Sequence, residues 1–412
     1  MNSKSRRAPV AVLAVMALLL SACQPAIALV APSPTATASR VPTETPVPPT
    51  ATPTLTFTPT ETATPSSTPT ETATTTPPPV IYGPKSFPTD VDPLTGLKVA
   101  DPKILNRRPV LVKVSNFPRN GRPHSGLSFA DIVFEYYIGE GTNRFAALYY
   151  GQDAPKIGPV RSARLVDWQL TRIYQGILAF CGADQWTVWP ALDTQLGLRA
   201  ISEAPVNEPA LYDVGQHTVT SVFADTAKLT QFAADHLSVP KVRPNLDGTS
   251  FNSAVPNSSL LGTKIGVQYN PVDRGEWRYD PASGAYLRWI ESVDTNNTVT
   301  MVPLTDQATG KQLAFNNVVI LFAYYTEYAP TLHDITVYFN QKGQRAVLFR
   351  DGKAIEGIWK TKSSDNPIQF FTDNGVTPLP FKPGNSWMVI TGINSSLTQP
   401  VLGQWEMQFA LP

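Results

Sequence analysis

The 412-residue chain reads as an α+β protein: a mixed α+β domain over 80–245, a mostly antiparallel β domain over 246–412, and a disordered Pro/Thr-rich tether before them. Three observations predict this. Of 40 prolines, 15 fall within residues 1–79, so the chain is two different polymers joined end to end. Between about 109 and 237, two-residue and helical hydrophobic periods alternate. From Phe251 the texture changes to short β-rich runs cut by Gly, Asn and Asp. Charge is balanced, 33 Lys+Arg against 32 Asp+Glu, which excludes a polybasic nucleic-acid binder. The length of the folded part fits about two domains.

The N-terminus carries an address. Lys4, Arg6 and Arg7 precede an uncharged apolar run from Ala8 to Leu20, shorter than the roughly 20 residues of a membrane span, so 1–22 reads as a secretory signal peptide. It ends in Leu20-Ser21-Ala22-Cys23. This string resembles the bacterial lipobox, which implies a diacylglyceryl group on Cys23, cleavage before it, and a further acyl chain such as palmitate on the new amino terminus. Each buried CH₂ adds roughly 0.8 kcal/mol, so two or three chains hold the protein firmly to the bilayer on its extracytoplasmic side. The alternative is an ordinary signal peptide with an incidental cysteine. Cys181 is the one other cysteine, so no disulfide forms once Cys23 is acylated. It sits in Ile177-Leu178-Ala179-Phe180-Cys181 and reads as a small buried hydrophobe rather than a nucleophile.

Residues 23–79 form the lipidated cysteine and linker. Positions 24–79 hold 14 prolines and 18 threonines with four charges, and Thr58–Pro65 recurs ten residues later with one change. Such a segment forms no core; it favours polyproline II and spans up to about 3.1 Å per residue.

Within the folded part, strands are expected at Pro109 to Ser115, Asp131 to Ile138, Arg144 to Tyr150 and Ile177 to Cys181. Gly139-Glu140-Gly141 closes a hairpin between the second and third. Ser162 to Tyr174 has helical spacing, and helices are also expected near Trp186 to Leu196 and Ser221 to Leu237. Further strands are expected at 264–269, 284–291, 317–323, 334–339, 345–350, 355–360 and 387–391. Their spacing of about 8–12 residues suggests an antiparallel sheet or small barrel.

Two sets of residues carry a resemblance. Gly126-Leu127-Ser128-Phe129-Ala130-Asp131-Ile132-Val133-Phe134-Glu135, Thr142-Asn143-Arg144-Phe145 and Lys156-Ile157-Gly158-Pro159-Val160-Arg161-Ser162-Ala163-Arg164 resemble the N-terminal half of the YerB-like lipoproteins, built on a domain of unknown function (number 3048). Asn317-Val318-Val319-Ile320, Gly357-Ile358-Trp359-Lys360 and Pro383-Gly384-Asn385-Ser386-Trp387 resemble its C-terminal half. The resemblance implies an envelope lipoprotein with two folded parts and assigns no activity. The stretch Leu211 to His217 departs from the family's usual form, so no role passes to His217.

Arg161 and Arg164 bracket Ser162, which is placed to cap the following helix. Cations at a helix N-terminus oppose its dipole by about 0.3–1 kcal/mol each, so something negative belongs among them. One reading is a ligand site, in which helix N–H groups and guanidinium forks take a carboxylate or phosphate. The other is an internal network, in which Asp131, Glu135 or Glu140 neutralises the arginines. Asp131, Glu135 and Arg144 read as a salt-bridge set.

An enzyme reading rests on Asp131, Glu135 or His124 as acid or base in a wall-modifying hydrolase or transferase. On one strand the two carboxylates lie about 13 Å apart by rise, too far for the roughly 5–9.5 Å of a glycosidase. His124, His217, His236 and His333 form no metal motif, and no cofactor fingerprint appears. Most tryptophans read as core, while Tyr324, Tyr325 and Tyr328 read as loop residues open to solvent. A transport receptor would show two similar α/β lobes, which this chain lacks. The sequence therefore points to a non-enzymatic surface lipoprotein. Its expected sites are Arg161, Ser162, Arg164, Asp131, Glu135, Arg144 and His124, flanked by Arg119 and Arg122. Its expected partners are the bilayer, through Cys23, and an anionic wall component or envelope protein.

Overall fold

The computed structural model describes residues 78–237, 242–362 and 365–412. The signal peptide, Cys23 and the tether to residue 77 lie outside them. The described part falls within one unit, 74–412. It is mostly strand, 41%, with few helices, 13%, and so is more β than the expected α+β split.

The central sheet has the strand order Gln369–Phe371, Lys353–Lys360, Gln344–Arg350, Asn317–Ala329, Ser386–Gly392, Ile132–Gly139, Thr142–Tyr149, Val110–Val114, Ile177–Phe180, Ala200–Ser202. Leu332–Thr336 folds back on the end of Asn317–Ala329. One sheet thus runs across the 245/246 boundary, with Ser386–Gly392 inserted between strands from the two halves. Its pairings on both sides are parallel, so "mostly antiparallel" fails at the centre of the C-terminal part. Period-two patterning reports a strand's buried faces and not its neighbour. Val110–Val114, Ile177–Phe180 and Ala200–Ser202 are also mutually parallel. Thr142–Tyr149, Gln344–Arg350 and Gln369–Phe371 reverse, each antiparallel to its neighbours. Seven strands therefore deliver their carboxyl ends to one edge of the sheet.

A second sheet, built from Val299–Pro303, Ala285–Val293, Asp273–Asp280, Lys264–Asn270, Gln404–Gln408 and Ser396–Val401, supplies the opposing layer. The core between the sheets includes Val112, Phe145, Val318, Trp277, Trp387 and Trp405. On the other face Leu111, Phe134, Leu148 and Met388 pack under helices α1 (Leu165–Ile173) and α2 (Val188–Leu196). A third helix, α3 (Thr226–His236), is capped by Asp225 and preceded by a short strand, Val222–Ala224, where a single longer helix was expected. The hairpin turn holds Gly139, Glu140 and Gly141 at positive φ. A Cβ at Gly139 would collide with the Pro330 carbonyl, so glycine is what lets the 329–332 turn close over this edge. No helix among the described residues is long and apolar enough to cross a membrane.

Candidate functional site

At the carboxyl edge, a cluster of positive charge forms where α1 begins. Arg161 N donates to Lys113 O at 2.9 Å, and Cys181 N to Arg161 O at 3.0 Å, which fixes this segment beside the ends of two parallel strands. The register pairs Arg144 with Tyr136, so both point toward α1, as does Lys113. Asp167 is fully buried and accepts from Arg164 N at 2.6 Å, Lys113 Nζ at 3.3 Å and the Tyr136 hydroxyl. Lys113 also donates to the Tyr136 hydroxyl. This joins sheet to helix and caps α1. The cap is the Arg164 backbone with Asp167 at the third position, not Ser162. The Ser162 carbonyl instead accepts from Arg144 Nη1 at 3.0 Å.

The charges do not balance. Lys113, Arg144, Arg161 and Arg164 surround one buried carboxylate, Asp167. None of the three arginines makes an ion pair within 4.0 Å among the described residues. The buried Nε atoms of all three have no hydrogen-bond partner. Arg144 is only 6% exposed. Burial, then Arg164 and Arg161, pull its guanidinium down to about 9. Burial likewise lowers Arg164, although Asp167 opposes this, and draws Lys113 down to about 7 against the pull of Asp167. Such a group of forks and unused donors can hold a carboxylate or phosphate.

The expected acidic partners lie elsewhere. Glu135 is on the opposite sheet face, because Arg144 sits across from Tyr136, one position further along. Its Oε2 takes Trp387 Nε1 at 2.8 Å and Arg288 Nη2 at 3.2 Å, and its Oε1 takes Asn143 Nδ2 at 3.1 Å. The salt-bridge set of Asp131, Glu135 and Arg144 therefore does not form. His124 is buried edge-on against Phe145, and burial lowers it to about 3, leaving a neutral ring unsuited to proton transfer at neutral pH. Arg119 and Arg122 do not flank Arg161. They converge on Glu291 at 3.1 and 3.0 Å, across the second sheet.

Asp131 accepts from the Tyr150 and Gly151 amides and faces Asp92. Burial raises both carboxyls, Asp92 to about 6 and Asp131 further. Asp92 Oδ2 has no donor in reach, which fits a proton shared by the pair. An acid raised on folding gives full stability below its unfolded value and loses it as pH climbs toward the folded one. Asp92→Asn is therefore expected to stabilise the protein at pH 7 by on the order of 1–3 kcal/mol. It should also flatten the fall in stability between about pH 4 and 6, read by urea unfolding across pH; an unchanged slope would contradict the shared proton.

Lys113, Tyr136 and Asp167 did not emerge from the site motifs. The available signal was a lysine within the apolar alternation Val110-Leu111-Val112-Lys113-Val114. Of the aromatics, Trp277, Trp359 and Trp387 are core, and Tyr324 and Tyr328 are exposed within a strand rather than a loop. Trp186 is 81% exposed. No cluster of three or more metal-ligating side chains occurs among the described residues.

Comparison with known proteins returns the same halves. The N-terminal domain model described as "Protein of unknown function (DUF3048)" matches residues 94–239, and its C-terminal domain model matches 265–388. A Bacillus subtilis (strain 168) protein named "Putative lipoprotein YerB" is 30% identical over 319 residues, covering 72% of this chain and 85% of that one. The crystal structure of YerB from Bacillus subtilis superposes with a TM-score of 0.57 at 27% identity, covering 73% of this chain and 96% of the other. On sequence and fold together, the chain belongs to the YerB-like family built on DUF3048.

Proposed function

We propose that this protein is a non-enzymatic binding module, held by acylated Cys23 on the extracytoplasmic face of a bacterial membrane. It takes an anionic envelope component between Arg144, Arg161 and Arg164. The observation that carries this is the trio of buried guanidinium Nε atoms with no hydrogen-bond partner, on side chains that form no ion pair within 4.0 Å among the described residues. Leaving such donors unsatisfied costs about 1–3 kcal/mol each, a cost that a bound anion removes. The location supports it too, since ligands of parallel strands gather at their carboxyl ends. The hydrolase reading draws no support from Asp131, Glu135 and His124, which occupy three separate buried environments, the two carboxyls held by other partners and the imidazole kept neutral.

The test is retention on purified wall material, with the supernatant analysed for released fragments. The unaltered protein should be retained without fragments, whereas Arg161→Gln/Arg164→Gln should lose more than tenfold in retention, the worth of one or two charge-assisted bonds. Its melting temperature should not fall, because neither side chain makes an internal ion pair and each leaves a buried donor unpaired. Released fragments would support the hydrolase instead.

A further inference from the structure

Trp186 is the most exposed tryptophan described, and the loop that carries it starts beside the arginine segment. Its loop is pinned there: Cys181 N bonds to Arg161 O and Ala163 N to Gly182 O, each at 3.0 Å. Nor is the loop loosely held. Asp184 Oδ1 accepts from Trp186 N at 3.2 Å and Thr187 N at 2.7 Å, and Trp189 N bonds to Asp184 O at 2.9 Å. Trp189 then packs edge-on against Phe180 at 5.4 Å. The Trp186 backbone is thus fixed while its indole is left in water, at the cost of hydrating a large apolar face.

We infer that the anion held by the arginines is the charged group of a saccharide whose ring stacks on Trp186. This rests on the anion-binding reading above and adds the chemical class of the ligand. A sugar ring presents C–H bonds on one face, which suit the negative face of an indole, and hydroxyls around its rim. Here the rim has polar neighbours: Asp184, Gln185 and Thr187 are exposed, and Asp184 Oδ2 takes no hydrogen bond from the protein, so it can accept from a hydroxyl. A protein partner would call for a contiguous interface of about 1,000 Å² or more. One indole ringed by polar side chains matches a sugar ring better.

Four probes are titrated into the full chain by calorimetry and tryptophan fluorescence: trigalacturonate, a phosphorylated disaccharide, the neutral cellotriose, and inorganic phosphate. One or both acidic saccharides should bind at least tenfold more tightly than phosphate, and cellotriose should bind far more weakly than they do. Which acidic saccharide wins tells carboxylate from phosphate. Trp186→Ala should erase the margin over phosphate while leaving phosphate affinity and melting temperature unchanged. Arg161→Gln/Arg164→Gln should lose all binding. If phosphate binds but neither saccharide exceeds it, or if Trp186→Ala keeps the margin, the saccharide inference is overturned and the anion site stands. If neither phosphate nor any saccharide binds, the anion site falls and this inference with it.

Discussion

Asp167→Asn is expected to destabilise the protein by about 3–5 kcal/mol, the usual loss when one partner of a buried pair is removed. Asp167 carries three roles at once: it caps α1 through Arg164 N, accepts from the Tyr136 hydroxyl, and is the single buried anion among four cations. For a unit of this size the loss corresponds to roughly 4–7 °C in melting temperature. The pH dependence has a definite sign. Lys113 is lowered on folding, so its cost is fully present below about pH 7 and is relieved as pH rises toward its unfolded value. Removing Asp167 takes away the charge that holds Lys113 up, which enlarges that cost. The Lys113-dependent part of the gap between variant and parent should therefore be widest at acidic pH, where Lys113 is charged in both folded proteins, and should close by about pH 7, where the parent's Lys113 also loses its proton. Sulfate should restore more stability to the variant than to the parent, because it supplies the missing anion. Scanning calorimetry across pH, with sulfate against chloride, reads all of this; a pH-independent loss of under about 1 kcal/mol would contradict the assigned role.

Arg288→Ala should be comparably damaging, for a reason on the other face of the sheet. Arg288 lies 4.0 Å over the Trp277 ring and 5.0 Å from that of Trp387, and its Nη2 meets Glu135. Truncation leaves Glu135 buried and opens a void between two tryptophans, with an expected loss of about 3–5 kcal/mol. Glu135 is already raised by burial, with Arg288 as the first influence opposing that, so the variant should take up a proton there and lose less stability at acidic pH. Glu135→Leu/Arg288→Met, which removes both charges and keeps volume, should recover most of the loss. Urea unfolding of the parent and both variants checks this. A double variant no better than Arg288→Ala would contradict the cost assigned to leaving Glu135 buried without its partner.

How much of this could be read from the sequence depends on the range of the interaction involved. The hairpin around Gly139-Glu140-Gly141, the α1 and α2 helices and most C-terminal strands announce themselves through local periodicity. The insertion of Ser386–Gly392 beside Ile132–Gly139 joins residues some 250 positions apart, and no local pattern encodes it. Arg161 and Arg164 were legible as an electrostatic problem, but the internal answer was misassigned. Asp131, Glu135 and Glu140 form no ion pair with these arginines, whereas Asp167, three residues beyond Arg164, supplies the charge. Glu135 was paired with Arg144 by sequence proximity, and cross-strand register puts them on opposite faces. The buried Lys113 was visible only as a break in an apolar alternation, and its meaning needed Asp167 and Tyr136 beside it.

The arginines at the start of α1 are short of an anion. This is tested by calorimetric titration of sulfate into the full chain and into Arg161→Gln/Arg164→Gln at matched ionic strength. Saturable one-site binding is expected in the parent and none in the double variant, which should melt no lower than the parent. Equal sulfate binding by the two proteins, or none by either, would contradict it.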